Sequence, residues 1–131
     1  MKLYLAAGFS RKHEMQDKSS KLERLGYEVI SSWPWEEIAP TTTLAECTTE
    51  HLLKHGRIDI KEIENCDALL LFTQDPSIPF CRGGRMHEAG YAHALGKHVV
   101  VIGPRENIFH YLPEIGWYPT FDAFLDAHPG L

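Results

Sequence analysis

Chemistry in this chain concentrates between Arg82 and Lys97, in Arg82-Gly83-Gly84-Arg85-Met86-His87-Glu88-Ala89-Gly90-Tyr91-Ala92-His93-Ala94-Leu95-Gly96-Lys97. A glycine pair lets backbone N–H groups approach a ligand, and the helix expected to follow, Met86 to Leu95, presents its positive dipole end there. Glu88 in the first turn of that helix would be held ionised by the dipole, which suits a carboxylate nucleophile. Composition alone favours a plainer account. Acidic residues are common at helix starts, and on that account Arg85 is a surface cation.

A second carboxylate stands out on a different ground. Between Thr43 and Asn65 the pattern reads as a helix, with Leu52, Leu53, Gly56, Ile60 and Ile63 on one face and Ile58, Lys61 and Glu62 elsewhere. Asp59 falls at the edge of the apolar face, and buried carboxylates are rare unless paired or functional. Asp67 has the simpler explanation of a turn residue ahead of a strand. His51 and His55 stand four apart, and His87 and His93 flank the glutamate, but no third ligand lies at sensible spacing. They read as surface histidines, and neither metal nor cofactor is expected.

The elements that must position these residues alternate. Leu3 to Ala7 is a short apolar run ending at Gly8, followed by a polar helix over Ser10 to Leu25 that stops at Gly26. Tyr27 to Ile30 is the second strand, and the proline-rich stretch Ser31 to Pro40 is a loop, either a lid or cover for the sheet edge. Asp67 to Phe72 and His98 to Ile102 are unbroken apolar strands of the kind buried on both faces of a parallel sheet. Between them Gln74 to Arg85 is a loop. Trp117-Tyr118 gives a short fifth strand, and Thr120 caps a last helix over Phe121 to Ala127. The expectation is one α/β domain over residues 1–131: a doubly wound parallel sheet of about five strands, flavodoxin/Rossmann-like, with helices on both faces. Ligands of such sheets bind beyond the C-terminal strand ends, here Gly8–Ser10, Thr73–Arg85 and Gly103–Asn107.

Read together, Tyr4-Leu5-Ala6-Ala7-Gly8-Phe9, Asp59 with Asp67 eight residues on, and Gly84 to Lys97 resemble the nucleoside 2-deoxyribosyltransferase family. That family includes 2'-deoxynucleoside 5'-phosphate N-hydrolases and cytidine monophosphate N-glycosidases. The likeness runs from about Leu3 to Pro113. It implies that Glu88 attacks the anomeric carbon, releases the base and holds the sugar as an ester, as in retaining glycosidases. Tyr4 would hydrogen-bond Glu88, Asp59 would contact and help protonate the leaving base, and Phe9, next to Gly8, would stack on it. The plainer accounts of Tyr4 and Phe9 are core aromatics. Asn107 would reach the sugar 5' end in a neighbouring subunit, making a homo-oligomer with sites near the interface, or would simply cap a short helix. Free-nucleoside transferases carry an aspartate six residues before the nucleophile, and here that residue is Arg82. Arg82, Gly83, Gly84 and Arg85 would together suit a 5'-phosphate, whose oxygens match guanidinium forks. Sugar transfer to another base leads, with transfer to water as the alternative. A nucleotide sensor without catalysis is disfavoured by an intact Tyr4, Asp59 and Glu88.

Composition narrows the partners to a small nucleoside or nucleotide. With 131 residues, 44% hydrophobic and 24% charged, the chain can bury a core without disulfides. A net charge of −5 with no basic run argues against a nucleic-acid polymer. No apolar stretch nears the roughly 20 residues that span a bilayer, and the Met1–Gly8 start reads as a buried strand. Cys47, Cys66 and Cys81 share no metal-like spacing, which suits a reduced, cytoplasmic setting.

Overall fold

The computed structural model describes residues 1–74 and 83–130. Five parallel strands, β1 (Lys2–Ala6), β2 (Glu28–Val29), β3 (Ala68–Phe72), β4 (His98–Ile102) and β5 (Ile115–Tyr118), lie in the order β2-β1-β3-β4-β5. This is the flavodoxin-like strand order, in which the chain reverses direction between β2 and β3. Right-handed crossovers then put α1 (Lys12–Arg24) on one face and α2 (Thr49–Asn65) and α3 (Gly84–Ala94) on the other. The last helix, α4 (Phe121–Ala127), packs Phe121 at a tilt against Phe72 and lies under Lys18 of α1, so it belongs to the α1 face. The expected doubly wound sheet, with helices on both faces, is the observed one.

The two central strands explain why the sheet forms. Every residue of β3 is buried, and β1 is buried from Leu3 onward, so neither face of these strands meets water. Tyr4 pairs with Leu69 and Leu5 with Leu70 in the β1–β3 register. Continuous apolar strands have this fate only between two helical layers.

Boundaries moved where capping chemistry overrode periodicity. The expected helix from Thr43 breaks in two. Leu44–Glu46 forms a 3-10 turn with a Thr43/Glu46 capping box, and α2 starts afresh behind Thr48, whose hydroxyl accepts from the His51 N–H at 3.1 Å. Two helix-starting threonines five residues apart, Thr43 and Thr48, cannot both be interior. The apolar face assigned to this helix is only partly buried. Ile63 is buried, while Leu52 and Leu53 are exposed, Leu53 at 56%. The proline-rich stretch after β2 holds a 3-10 turn, Trp33–Trp35, with Trp33 and Pro34 buried. Gly26 and Gly96 end α1 and α3 as expected, and Thr120 caps α4 by accepting from the Ala123 N–H at 3.1 Å.

The loop after β4 turns on Gly103. Its φ of +117° lies in the left-handed region, and a Cβ there would sit 2.5 Å from the Thr73 Oγ1 at the end of β3. Gly103→Ala is therefore expected to destabilise the fold by about 1–3 kcal/mol, measured as a lower denaturant midpoint with unchanged slope.

Candidate active site

Tyr4 carries the site into the sheet. It lies in the middle of β1, 0% exposed, and its hydroxyl donates a hydrogen bond to Glu88 Oε2 on α3. A buried phenol needs a partner for its O–H, and a carboxylate is the strongest acceptor available. Burial and then the nearby charges of Glu88 and Asp59 raise the Tyr4 pKa well above its ordinary 10.0, so it stays a donor at every working pH.

Glu88 is the fifth residue of α3, because the helix starts at Gly84 and not at Met86. This corrects the placement in the first turn, where the dipole would favour the charged form. The effect falls off within one turn, and what dominates here is burial. Desolvation pushes the Glu88 carboxyl from 4.5 up to about 7; the Tyr4 hydrogen bond works against the rise and the Glu62 charge adds to it.

Asp59 approaches from α2. Its Oδ1 is buried and has no hydrogen-bond partner among the described residues. Burial first, then the charges of Glu88, Glu36 and Glu62, push its carboxyl from 3.8 up to about 8. Two carboxyls this close cannot both ionise cheaply, so Glu88 gives up its proton first and Asp59 holds its own longer. Between about pH 7 and pH 8 the pair therefore favours an ionised Glu88 beside a protonated Asp59. That is the division of labour seen wherever two carboxyls perform different roles.

The neighbouring segments are tied together at the C-terminal ends of the strands. Gly8 opens the turn Phe9–Arg11, and a Cβ at Gly8 would lie 3.0 Å from Gln74 Oε1. Phe9 is partly exposed, its ring 6.0 Å from that of Trp33 and 5.3 Å from the Lys12 ammonium. Arg11 donates to the carbonyls of Phe72 (3.3 Å) and Thr73 (3.0 Å), which fixes this turn to the end of β3. Gly83, at φ +83°, and Gly84 form the exposed start of α3. Arg82 lies outside the described residues.

Arg85 is not a surface cation. Its side chain is 3% exposed and forks onto Glu106, Nη1 to Oε1 and Nη2 to Oε2, both at 2.8 Å. Glu106 also accepts from the Gln74 N–H at 2.9 Å. Burial disfavours the Glu106 charge, but Arg85 and Gln74 outweigh it and hold the carboxyl below its ordinary value. This ion pair thus joins the start of α3 to the loops after β3 and β4. Asn107 caps the 3-10 turn Ile108–Tyr111 by accepting from the Phe109 N–H at 2.9 Å, and its Nδ2 reaches the Met86 Sδ at 3.7 Å. Asp67 accepts from the Lys2 N–H at 2.7 Å, at the opposite end of the sheet, in the structural role expected of it.

No protein-family model and no curated protein matches this sequence. Solved structures do. The CMP N-glycosidase BcmB of Clostridium botulinum matches at a TM-score of 0.62 and 20% identity, over 97% of each chain. A 2-deoxyribosyltransferase from Bacillus psychrosaccharolyticus matches at 0.63 and 23% identity, over 83% of this chain and 79% of its own. One from Leishmania mexicana matches at 0.66 and 16% identity, over 95% of each. The fold is shared.

Sequence reasoning brought Tyr4, Asp59 and Glu88 to one neighbourhood, and the structure has them there. It missed Glu62 and Glu36. Glu62 was set off the apolar face of its helix; it accepts from the Ser32 N–H at 3.0 Å, and its charge acts on Tyr4, Asp59 and Glu88. The spacing His55, Asp59, Glu62 is i, i+4, i+7, a polar row on one side of α2 that a helical plot of charges would have revealed.

Keeping Glu88 ionised in this setting costs stability. Its carboxyl rises from 4.5 to about 7 on folding, roughly 3 kcal/mol at 1.36 kcal/mol per pH unit. The folded state thus binds its proton more tightly than the unfolded chain does. The associated stability is complete below about pH 4.5 and is lost as pH rises through about 7. Glu88→Gln, which cannot ionise, is expected to melt higher than the parent at pH 8 and to lose that advantage at pH 5. Thermal melts of both proteins across this range measure the difference.

Proposed function

We propose that this protein cleaves the N-glycosidic bond of 2'-deoxynucleosides or their 5'-monophosphates through a covalent glycosyl-Glu88 ester, passing the sugar to a second base. The observation that carries the reading is the pair of half-buried carboxyls. Glu88 is oriented by Tyr4 and ionises near pH 7, while Asp59 keeps its proton to about pH 8 and points an unpartnered oxygen into the same neighbourhood.

In the first step a Glu88 oxygen bonds to the anomeric carbon as the carbon–nitrogen bond breaks. The electron pair leaves with the base, and Asp59 supplies a proton to the departing nitrogen. A carboxylate stabilises the positive charge that develops on the sugar and then becomes a competent leaving group. In the second step an acceptor nitrogen attacks the same carbon, Glu88 leaves as carboxylate and Asp59 recovers a proton from the acceptor. Tyr4 donates to Glu88 throughout, which holds the attacking oxygen in place and tempers its basicity. The fold it shares with two proteins described as 2-deoxyribosyltransferases supports this reading. Water as the acceptor is the second reading, favoured by the end-to-end match to a CMP N-glycosidase. Incubation of a nucleoside and its monophosphate with and without an added base separates the two: new nucleoside formed only with the base means transfer, and free sugar or sugar phosphate regardless of base means hydrolysis.

Three outcomes test the chemistry. Glu88→Ala is expected to fall below about a thousandth of the parent rate, and denaturation of the intact protein with substrate is expected to trap a sugar on the Glu88 peptide by mass spectrometry. Asp59→Asn is expected to slow base release far more for poor leaving groups than for activated ones; equal losses would assign Asp59 a structural role. The profile of kcat/KM against pH is expected to be bell-shaped. It falls below about pH 7 as Glu88 takes a proton, and above about pH 8 as Asp59 loses one.

A further inference from the structure

His51 and His55, four residues apart on α2, meet a third donor that no local spacing announces. Glu36 follows the Trp33–Trp35 turn, and its Oε1 lies 2.9 Å from the His55 Nδ1. The two imidazole rings are 4.2 Å apart between centroids. One ligand atom from each of the three residues falls within 4.8 Å of the others. A tetrahedral zinc ion with bonds near 2.0–2.2 Å needs its ligand atoms about 3.4 Å apart. Small rotamer adjustments therefore close the set around an ion.

The carboxylate is held where the histidines need it. Lys12 of α1 donates to the carbonyl of Glu36 and, at 2.7 Å, to that of Ile38, while Gln16 donates to the carbonyl of Pro34 at 2.6 Å. The backbone on both sides of Glu36 is thus anchored to α1, and its side chain turns toward α2, 13% exposed against 25% for His55. A preformed, partly shielded set of two imidazoles and one carboxylate differs from histidines scattered on a surface.

We propose that Glu36, His51 and His55 form a binding site for a divalent zinc-class ion, which clamps the Trp33–Trp35 turn to α2. Two imidazoles and a carboxylate suit Zn²⁺ and leave a fourth position for water. The expectation that these histidines serve no metal is revised on this ground: the third ligand comes from a loop fifteen residues before His51, beyond the reach of helical spacing.

The test uses the full chain, stripped with a chelator and titrated with Zn²⁺ against a chromophoric competitor. One ion per chain is expected, with affinity reduced at least 100-fold in His51→Ala/His55→Ala and unchanged in His13→Ala, an exposed histidine elsewhere. Co²⁺ in the parent is expected to give the visible absorption of a four-coordinate site, which reports the ligand set even if the double variant folds poorly. Glu36→Gln is expected to weaken Zn²⁺ binding while leaving far-UV dichroism intact. Equal binding by the parent and the double variant, an equal loss in His13→Ala, or no uptake by the parent at micromolar Zn²⁺ would each overturn the proposal. Every readout is independent of turnover.

Discussion

A tyrosine hydroxyl in the middle of a fully buried strand has to end on an acceptor, and in this fold the acceptor available is a carboxylate from the helix lying across it. The Tyr4–Glu88 hydrogen bond satisfies the phenol, orients the carboxylate and sets how far α3 can slide over β1. Its energetic character is mixed. The bond itself favours folding, yet an ionised carboxylate out of water opposes it. The arrangement persists because the surroundings determine α3 independently: Arg85 is forked onto Glu106 at one end, and Gly96 reverses the chain at the other.

The same reasoning accounts for the topology of the site. The reversal between β2 and β3 puts α2 and α3 side by side over β1 and β3, so a carboxylate from each can converge above one tyrosine. Had the winding continued in one direction, α2 would have joined α1 on the other face. A surface hollow of about 510 Å³, lined by Met1, Cys66, Asp67, Leu95, Gly96, Lys97 and His98, lies instead at the N-terminal ends of the strands. Its lining lacks Tyr4, Asp59 and Glu88, and open sheets bind ligands at the opposite end.

Much of this was legible in the sequence, for particular reasons. The unbroken run Ala68–Phe72 admits only a strand covered on both faces, and the segments ending in Gly26 and Gly96 admit only helices that stop there. Asp59 was conspicuous because a carboxylate beside Ile60 and Ile63 breaks the pattern of its helix. The Tyr4–Glu88 contact was legible only through the family resemblance, and long-range contacts outside it could not be read. Glu106 lies twenty-one positions from Arg85, and no local rule pairs them. The raised carboxyl of Glu88 was hidden for a similar reason: a helical position gives the dipole, but only the packed structure gives the desolvation. The exposed leucines of α2 show the reverse error, in which a pattern predicts a buried face that the single chain does not bury.

β2 is only two residues long and pairs with Lys2 and Leu3 alone, so among the described residues the upper half of β1 has no neighbouring strand on that side. Ser31 and Trp33 take its place: the Ser31 hydroxyl accepts from the Leu5 N–H at 3.1 Å, and the Trp33 indole donates to the Leu5 carbonyl at 2.7 Å. An unpaired strand edge of this apolar kind would otherwise be a template for a strand from another molecule. Two side chains standing in for a strand give the chain its protection against edge-to-edge aggregation. They do so without adding the residues that a longer β2 would carry into the space beside Tyr4. Replacing Trp33 would therefore be felt first in the concentration at which the protein stays in solution, before any effect on its chemistry.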